Sequence, residues 1–299
     1  MRESKILQPD PCALQVRHAR GLYIQARVPE GIRLIRTAAH ISDLHLGRDE
    51  ATDEAARHLV EALLAARVDD VLLTGDVTHR GRREELARFE RLFAPLLERG
   101  CVSVVPGNHD RMGDDAARGL MRGGRVAVRG RPGLHVVCLD STAPHNRSLI
   151  DGHGEVTSQD LADAELALSE APPGSLPLLM LHHHVLPLPV EDLAEKLATF
   201  IGLPSADELP LGEDLLGRIA GRCRLVLHGH RHVPAEFRVA IPHAPPLRVL
   251  NAGSTTQLGR ARLLAHAAGE VVWEGWLATE HVPFRAWAPA GRGVANAAA

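Results

Sequence analysis

The residues best suited to catalysis in this sequence are carboxylates and histidines that directly follow short apolar runs. Asp43 and His45 form a D-L-H block after one such run, and Asp76 ends the next, VLLTGD. The same placement recurs in three later blocks: G-N-H-D (107–110), H-H-H (182–184) and G-H-R-H (229–232). Each apolar run has the length of a buried β-strand. We therefore expect the blocks at strand ends, where loops converge on one edge of a sheet.

These blocks contain seven candidate metal ligands, which are Asp43, His45, Asp76, Asn108, His182, His230 and His232. The mixture of carboxylate, imidazole and amide donors suits Mn, Fe, Zn or Co, and it is too rich in nitrogen for Mg or Ca alone. Seven ligands are more than one ion would use while keeping room for substrate, so the count indicates two ions, with Asp76 as the bridging ligand. Such a pair activates water and neutralises phosphoryl oxygens, which is the chemistry of phosphoester hydrolysis.

Composition argues against several other classes of protein. The net charge is -3, from 34 basic and 37 acidic residues, so the chain lacks the positive surface that holds a nucleic-acid backbone. Aromatic residues make up 3% of the chain, which disfavours base-stacking platforms. We therefore expect a small phosphoester as the binding partner, with no strong nucleic-acid signal. The sequence leaves a homodimer open.

The cysteines and the chain start bear on cellular location. Cys12, Cys101, Cys138 and Cys223 form no C-x-x-C pair, so neither a thiolate zinc site nor a disulfide framework is indicated. The first twenty residues contain no apolar signal core, and no later stretch approaches 18 uncharged apolar residues. The sequence therefore predicts a cytoplasmic protein with no membrane signal.

Alternating strands and helices must position the candidate ligands. The first half predicts a strand ending at 43, a helix at 53–68, a strand at 70–76, a helix at 83–99 and a strand at 102–110. The second half predicts a helix at 158–170 and strands at 125–128, 135–139, 176–184, 223–230, 247–253, 260–267 and 270–278. We expect two β-layers with helices outside, in one domain at 34–288. An N-terminal extension (1–33) with one short strand (22–28) would precede it, and a flexible tail (289–299) would follow.

The order of the blocks resembles that of the calcineurin-like metallophosphoesterase superfamily, over about residues 35–256. The resemblance implies an α/β fold, a four-layer αββα sandwich with two mixed sheets, around a dinuclear centre. It assigns the ligands of the first ion as Asp43, His45, Asp76 and His232, and those of the second as Asp76, Asn108, His182 and His230. A metal-bridging hydroxide would attack phosphorus. His109 would assist the leaving group, with Asp110 as its orienting partner.

Within the superfamily, the N-A-G-S-T block (251–255) is most similar to the cyclic-nucleotide phosphodiesterase group. This implies a phosphodiesterase, with a 3',5'-cyclic nucleotide as one candidate substrate. His79 stands where that group usually has Asp, and we expect this to alter metal affinity or preference. The block of three histidines leaves either His182 or His183 as the ligand, and counting back from Pro187 favours His182.

Other functions of the same superfamily remain as alternatives. A DNA exonuclease or endonuclease is disfavoured because neither a basic patch nor heptads are present. A lipid (UDP-sugar) pyrophosphohydrolase would require 186–216 to fold as an apolar lid over the site. A protein phosphatase is disfavoured because G-N-H-E, rather than G-N-H-D, is usual in that group. A non-catalytic scaffold is disfavoured by the intact ligand types in all five blocks.

Overall fold

A computed structural model describes most of the 299-residue chain, namely residues 13–17, 23–27, 35–121, 124–148, 151–186, 209–241 and 244–279. Near the amino end, β1 (Ala13–Arg17) and β2 (Tyr23–Arg27) form an antiparallel pair. The sequence predicted only the second of these strands. The first, ALQVR, comes shortly after Pro9 and Pro11 in the sequence, which favoured an irregular segment there.

The first large sheet has five strands in the order β13-β12-β3-β4-β5. Its strands are β3 (Arg36–Ile41), β4 (Asp70–Thr74), β5 (Val102–Val105), β12 (Arg260–Ala267) and β13 (Glu270–Ala278). The three strands from the first half of the chain are parallel, and β12 and β13 extend the sheet antiparallel. The carboxyl ends of β3, β4 and β5 therefore lie at one edge.

The second large sheet has six strands in the order β10-β11-β9-β8-β7-β6. Its strands are β6 (Val126–Arg131), β7 (Leu134–Leu139), β8 (Leu176–Met180), β9 (Leu225–His228), β10 (Ala235–Ile241) and β11 (Ala244–Asn251). The four central strands are parallel, and antiparallel strands form both edges. This sheet therefore also gathers its carboxyl ends at one edge.

Helices cover the outer face of each sheet. The described helices are α1 (Glu50–Ala65), α2 (Arg83–Glu98), α3 (Ala117–Leu120), α4 (Ser158–Ser169), α5 (Gly212–Ile219) and α6 (Thr255–Leu258). The first two pack on the five-stranded sheet, where Leu63 and Phe93 are fully buried. The fourth and fifth pack on the six-stranded sheet through Leu168 and Leu215. No helix in the described ranges is both long and apolar enough to cross a lipid bilayer.

A third apolar cluster fills the space between the two sheets, with Leu72 of β4 and Leu178 of β8 among its buried members. Burial on both faces explains why the parallel strands consist of continuous apolar runs rather than alternating ones. The prediction of two mixed sheets between layers of helices is thus confirmed.

The elements that the sequence analysis did not predict include the short helices α3 and α6 and one edge strand. Strand β10 was not predicted because it is an edge strand whose residues alternate between exposed and half-buried, directly after Pro234. The domain boundaries at 33/34 and 288/289 stay predictions. The tail at 289–299 lies outside the described residues.

Candidate metal centre

All seven predicted ligands lie at the carboxyl ends of parallel strands. Loops after β3, β4 and β5 carry the ligands Asp43, His45, Asp76 and Asn108, and loops after β8 and β9 carry His182, His230 and His232. The structure brings them together from both sheets, as shown by contacts of 3.1 to 3.8 Å between their side-chain atoms. The strand-end rule therefore located the cluster.

Asp76 lies between two groups of donors. Its Oδ2 atom is 3.8 Å from Nε2 of His45 and 3.5 Å from Nε2 of His182. The first donor group is Asp43, His45 and His232, whose donor atoms lie within 4.8 Å of one another. The second is Asn108, His182 and His230, in which ring nitrogens of the two histidines lie 3.1 and 3.2 Å from Oδ1 of Asn108. Asp76 is thus placed where a ligand shared by two ions would stand.

The first donor group lacks the positive charge that would balance it. Nε2 of His45 lies 3.1 Å from Nε2 of His232, which is itself 3.6 Å from Oδ1 of Asp43. Asp43 is fully buried, and its Oδ1 has no hydrogen-bond partner among the described residues. Burial also raises the pKa of this carboxyl. A buried oxygen without a donor is rare in proteins, and a cation at this point would satisfy it.

In the second donor group, a ring nitrogen of His182 faces the amide oxygen of Asn108. Nδ1–H of His182 donates to the carbonyl oxygen of Thr74 at 2.7 Å, which leaves Nε2 to face Oδ1 of Asn108 at 3.1 Å. Nδ1 of His230 is 3.2 Å from the same oxygen. Fixing one imidazole nitrogen by a carbonyl is the usual way in which proteins orient a metal-binding histidine.

The electrostatics of the cluster favour added positive charge. Burial lowers the pKa of His182, but the neighbouring Asp76 carboxylate outweighs this and raises the pKa to about 9. Burial likewise raises the pKa of Asp76, yet the His182 and His109 imidazoles hold it well below its usual range. Burial lowers the pKa of His45 to about 3, so its ring is neutral and offers a lone pair. The donors therefore fit two divalent ions.

Several ligand loops adopt a backbone conformation that L-residues rarely take. The φ angles are 53° at Asp43, 49° at His45, 49° at Asp76 and 69° at His230, all in the left-handed region. Such backbones store about 1 kcal/mol or more each, and they persist only where the surroundings enforce them. Their concentration at this edge indicates that the loops are shaped for the site rather than for folding alone.

The N-A-G-S-T block holds the first ligand loop in place. The Ser254 hydroxyl donates to the Asp43 carbonyl at 2.9 Å, and the Thr255 hydroxyl accepts from the Ser42 amide at 2.9 Å. At the neighbouring Gly229, an added Cβ would lie 1.9 Å from the Ser42 hydroxyl and 2.5 Å from a carboxylate oxygen of Asp43. Only glycine permits this close approach of two ligand loops.

His182 and His183 have different surroundings. Nε2 of His183 contacts the Gly152 carbonyl at 3.0 Å, and its Nδ1 contacts the Ser141 hydroxyl at 2.9 Å. Both of its ring nitrogens are therefore engaged by the protein, whereas Nε2 of His182 faces Asp76 and Asn108. This geometry favours His182 as the ligand, in agreement with the sequence-based preference.

The expected role of Asp110 is corrected. Its carboxylate accepts from the Gly107 amide at 2.9 Å and from the amide and hydroxyl of Thr78 at 2.8 and 2.6 Å. The ring of His109 is instead oriented by the carbonyl of His79, 2.8 Å from its Nδ1. Asp110 therefore ties two site loops together and does not orient His109. Burial and the nearby Asp76 raise the pKa of Asp110 to about 6.

The sequence analysis missed Arg111, which directly follows the G-N-H-D block. Its Nε donates to the Thr142 hydroxyl at 2.6 Å, and its two terminal nitrogens pair with Asp115 and Asp140. Asp140 and Thr142 follow the buried strand β7, so the strand-end pattern would have drawn attention to them. Arg111 thereby links a site loop of the first sheet to the second sheet.

The family to which the chain belongs follows from a comparison of its sequence with known families. The sequence model of the family described as Calcineurin-like phosphoesterase matches residues 36–234, about two thirds of the chain. The protein belongs to this family. The match spans the loops of all seven candidate ligands and confirms the family that the order of the blocks predicted.

The name of one relative agrees with membership of this family. A probable cyclic nucleotide phosphodiesterase from Rhodococcus erythropolis (strain PR4 / NBRC 100887) is 29% identical over 211 residues, which are 64% of this chain and 64% of the relative. The alignment thus covers less than two thirds of that protein.

Two solved structures share the fold of this phosphoesterase. A dimetal phosphatase from Danio rerio has a TM-score of 0.54 at 13% identity, over 82% of this chain and 99% of that chain. The purple acid phosphatase PPD1 from yellow lupin (Lupinus luteus) seeds has a TM-score of 0.52 at 11% identity, over 88% and 58%. At these identities the similarity shows the fold alone.

The apolar lid considered at 186–216 is only partly described, because residues 187–208 lie outside the described ranges. Its described end contains α5, whose Leu215 and Ile219 are buried in the core on the outer face of the second sheet. The described part of this segment therefore belongs to the sandwich.

Proposed function

We propose that this phosphoesterase hydrolyses a small phosphodiester, with a 3',5'-cyclic nucleotide as the leading candidate. The position of Asp76 between two donor groups carries the proposal, because a shared carboxylate holds a pair of ions close enough to act on one phosphoryl group. The name of the Rhodococcus relative supports the choice of a diester. Mn, Fe, Zn and Co are the ions that suit the donors.

The seven ligands named above would hold the ions. When bound, the two ions neutralise phosphoryl oxygens and lower the pKa of the water that attacks phosphorus. His109 would act on the leaving group. Its backbone amide donates to Oδ1 of Asp76 at 2.9 Å, and its Nδ1 is held by the His79 carbonyl. Nε2 of His109 is therefore the atom that can pass a proton to the leaving-group oxygen.

The test compares bis(p-nitrophenyl) phosphate with p-nitrophenyl phosphate. Protein stripped of metal is restored with Mn, Fe, Zn, Co or Mg, and kcat/KM and metal content are measured for the wild type and for Asp76→Asn. Asp163→Asn is the matched control, because Asp163 is an exposed carboxylate on α4 that accepts a hydrogen bond from the side chain of Gln159.

We expect metal-dependent turnover of the diester, lost in Asp76→Asn together with bound metal and retained in Asp163→Asn. Preference for the monoester would replace the phosphodiesterase with a phosphatase. Diester turnover that Asp76→Asn retains would contradict the proposed site.

A further inference from the structure

One imidazole at the metal centre has no role in the proposed function. The rings of His45, His79 and His109, here called the triple-histidine cluster, offer nitrogen atoms within 4.8 Å of one another. The His79 ring lies 5.7 Å from that of His109, at 28° to it, and 5.9 Å from that of His45. The His79 ring thus stands beside the residue that would act on the leaving group.

The side chain of His79 lacks a protein partner at one buried atom. The residue is half-buried, and its Nδ1 is buried with no hydrogen-bond partner among the described residues. The backbone of His79 is engaged separately, since its amide donates to Leu46 and its carbonyl accepts from His109. Replacing the ring would therefore leave these backbone contacts in place.

The composition of the cluster favours an anion over a further cation. None of its three members is a carboxylate, whereas the neighbouring ligands include Asp43 and Asp76. A third cation here would be repelled by the two ions that those ligands hold. Imidazole N–H groups, in contrast, donate to the oxygens of an anionic phosphoryl group.

We propose that His79 is a substrate-contacting residue whose imidazole N–H donates to a phosphoryl oxygen of the bound phosphodiester, beside His109. This inference rests on the proposed function and adds a specificity-determining residue to it. The interaction is made in the substrate complex and persists through the reaction, so its loss raises KM and leaves kcat nearly unchanged.

The experiment uses the full-length protein loaded with Mn and three substitutions at one position. His79→Ala removes the donor, His79→Gln keeps an N–H donor, and His79→Asp places a carboxylate against the substrate anion. His58→Ala on α1 is the matched control. Four quantities are measured: KM and kcat for bis(p-nitrophenyl) phosphate, the Kd of inorganic phosphate by calorimetry, and the bound Mn per chain.

We expect His79→Ala to raise both KM and the phosphate Kd about tenfold with kcat within twofold. His79→Gln should recover part of this loss, and His79→Asp should exceed it because like charges repel. His58→Ala and the Mn content should not change.

An unchanged KM and phosphate Kd in His79→Ala would overturn the proposal. A loss of one Mn per chain would also overturn it, by showing that His79 is a metal ligand. If the wild type fails to hydrolyse the diester, the proposed function fails, while the phosphate titration still decides whether His79 contacts a phosphoryl group.

Discussion

Strands β3 and β4 carry buried charged residues at both ends, and the two ends differ in what balances the charge. At the amino ends, Asp70 is nearly fully buried and lies 3.8 Å from Nη2 of Arg36 and 3.6 Å from Nε of Arg131. At the carboxyl ends, Asp43 and Asp76 are equally buried but face histidines. The first carboxylate thus lies beside permanent cations of the protein, although burial still raises its pKa.

The comparison separates a structural charge cluster from a functional one. Arginine stays protonated at any pH at which the protein folds, so the amino end is balanced by the chain itself. Burial lowers the pKa of His45 to about 3 and that of His230 well below its usual value, so neither ring balances a carboxylate. His182, whose pKa is raised to about 9 beside Asp76, offsets only part of the charge of Asp43 and Asp76. The carboxyl end therefore requires cations from solution, and four predictions test this difference.

The largest expected effect comes from Gly107→Ala, which disturbs only the carboxyl end. An added Cβ would lie 2.2 Å from Oδ1 of Asp76 and 2.4 Å from its backbone nitrogen, so the shared carboxylate must move. Displacements of about 1 Å at a catalytic group lower rates by about 100-fold. We expect kcat for the diester to fall by at least about 100-fold, with loss of Mn. Gly217→Ala, whose Cβ enters open space on α5, should leave kcat and Mn content unchanged.

The second effect, from Asp70→Asn, disturbs only the amino end. Removing the carboxylate leaves the Arg131 guanidinium without its buried partner, whereas Arg36 keeps Asp69 at 3.3 Å. We expect the free energy of unfolding in urea to fall by about 2 kcal/mol, with kcat per folded molecule and Mn content unchanged. Loss of Mn in Asp70→Asn would show that the amino end affects metal binding at the carboxyl end. The two ends could then no longer be separated into a structural and a functional charge cluster.

The third effect concerns Arg111, which follows β5 at the same carboxyl edge and positions the loop of His109. Arg111→Met should lower kcat about tenfold with little change in KM, because the link to Asp140 and Thr142 of the second sheet is lost. Arg111→Lys should restore part of kcat. Arg147→Met is the control, since Arg147 is largely exposed and also reaches Asp115. If kcat falls as much in Arg147→Met as in Arg111→Met, loss of positive charge, rather than loss of loop positioning, explains the lower kcat.

The ligand blocks could be predicted because each follows a strand that is apolar over its full length. Burial on both faces leaves such a strand without polar residues until it ends, so the first polar residues mark the edge of the sheet. The same rule would have pointed to Asp140, which follows β7. An edge strand such as β10 alternates instead, and the rule does not apply to it.

The roles within the site could not be read in this way. Asp110 is adjacent to His109 in sequence, yet its carboxylate points to Gly107 and Thr78, because the turn at 109–111 directs successive side chains apart. The partner of His109 is a backbone carbonyl thirty residues earlier. A backbone atom carries no sequence signal, so contacts of this kind emerge only from the folded chain.

The smallest expected effect concerns His266 of β12, which pairs with Arg36 in the sheet and lies at the amino end of the comparison. Burial and the Arg36 charge lower the pKa of this ring to about 4, below the usual 6.5. As pH falls from 6.5 to 4, the unfolded chain takes up a proton that the folded ring does not, so the unfolded state is favoured and stability is lost.

His266→Gln removes this titration, and urea unfolding of metal-stripped protein between pH 7.5 and 4.5 measures the result. We expect the wild type to lose about 1 kcal/mol more stability over this interval than the variant, since one pKa unit corresponds to 1.36 kcal/mol and solvent screens part of the shift. His266→Asn should flatten the curve equally, because Asn, like Gln, carries a neutral amide, although it is the smaller side chain. Parallel curves for the wild type and both variants would instead place the acid sensitivity at the carboxyl end, among the ligand histidines.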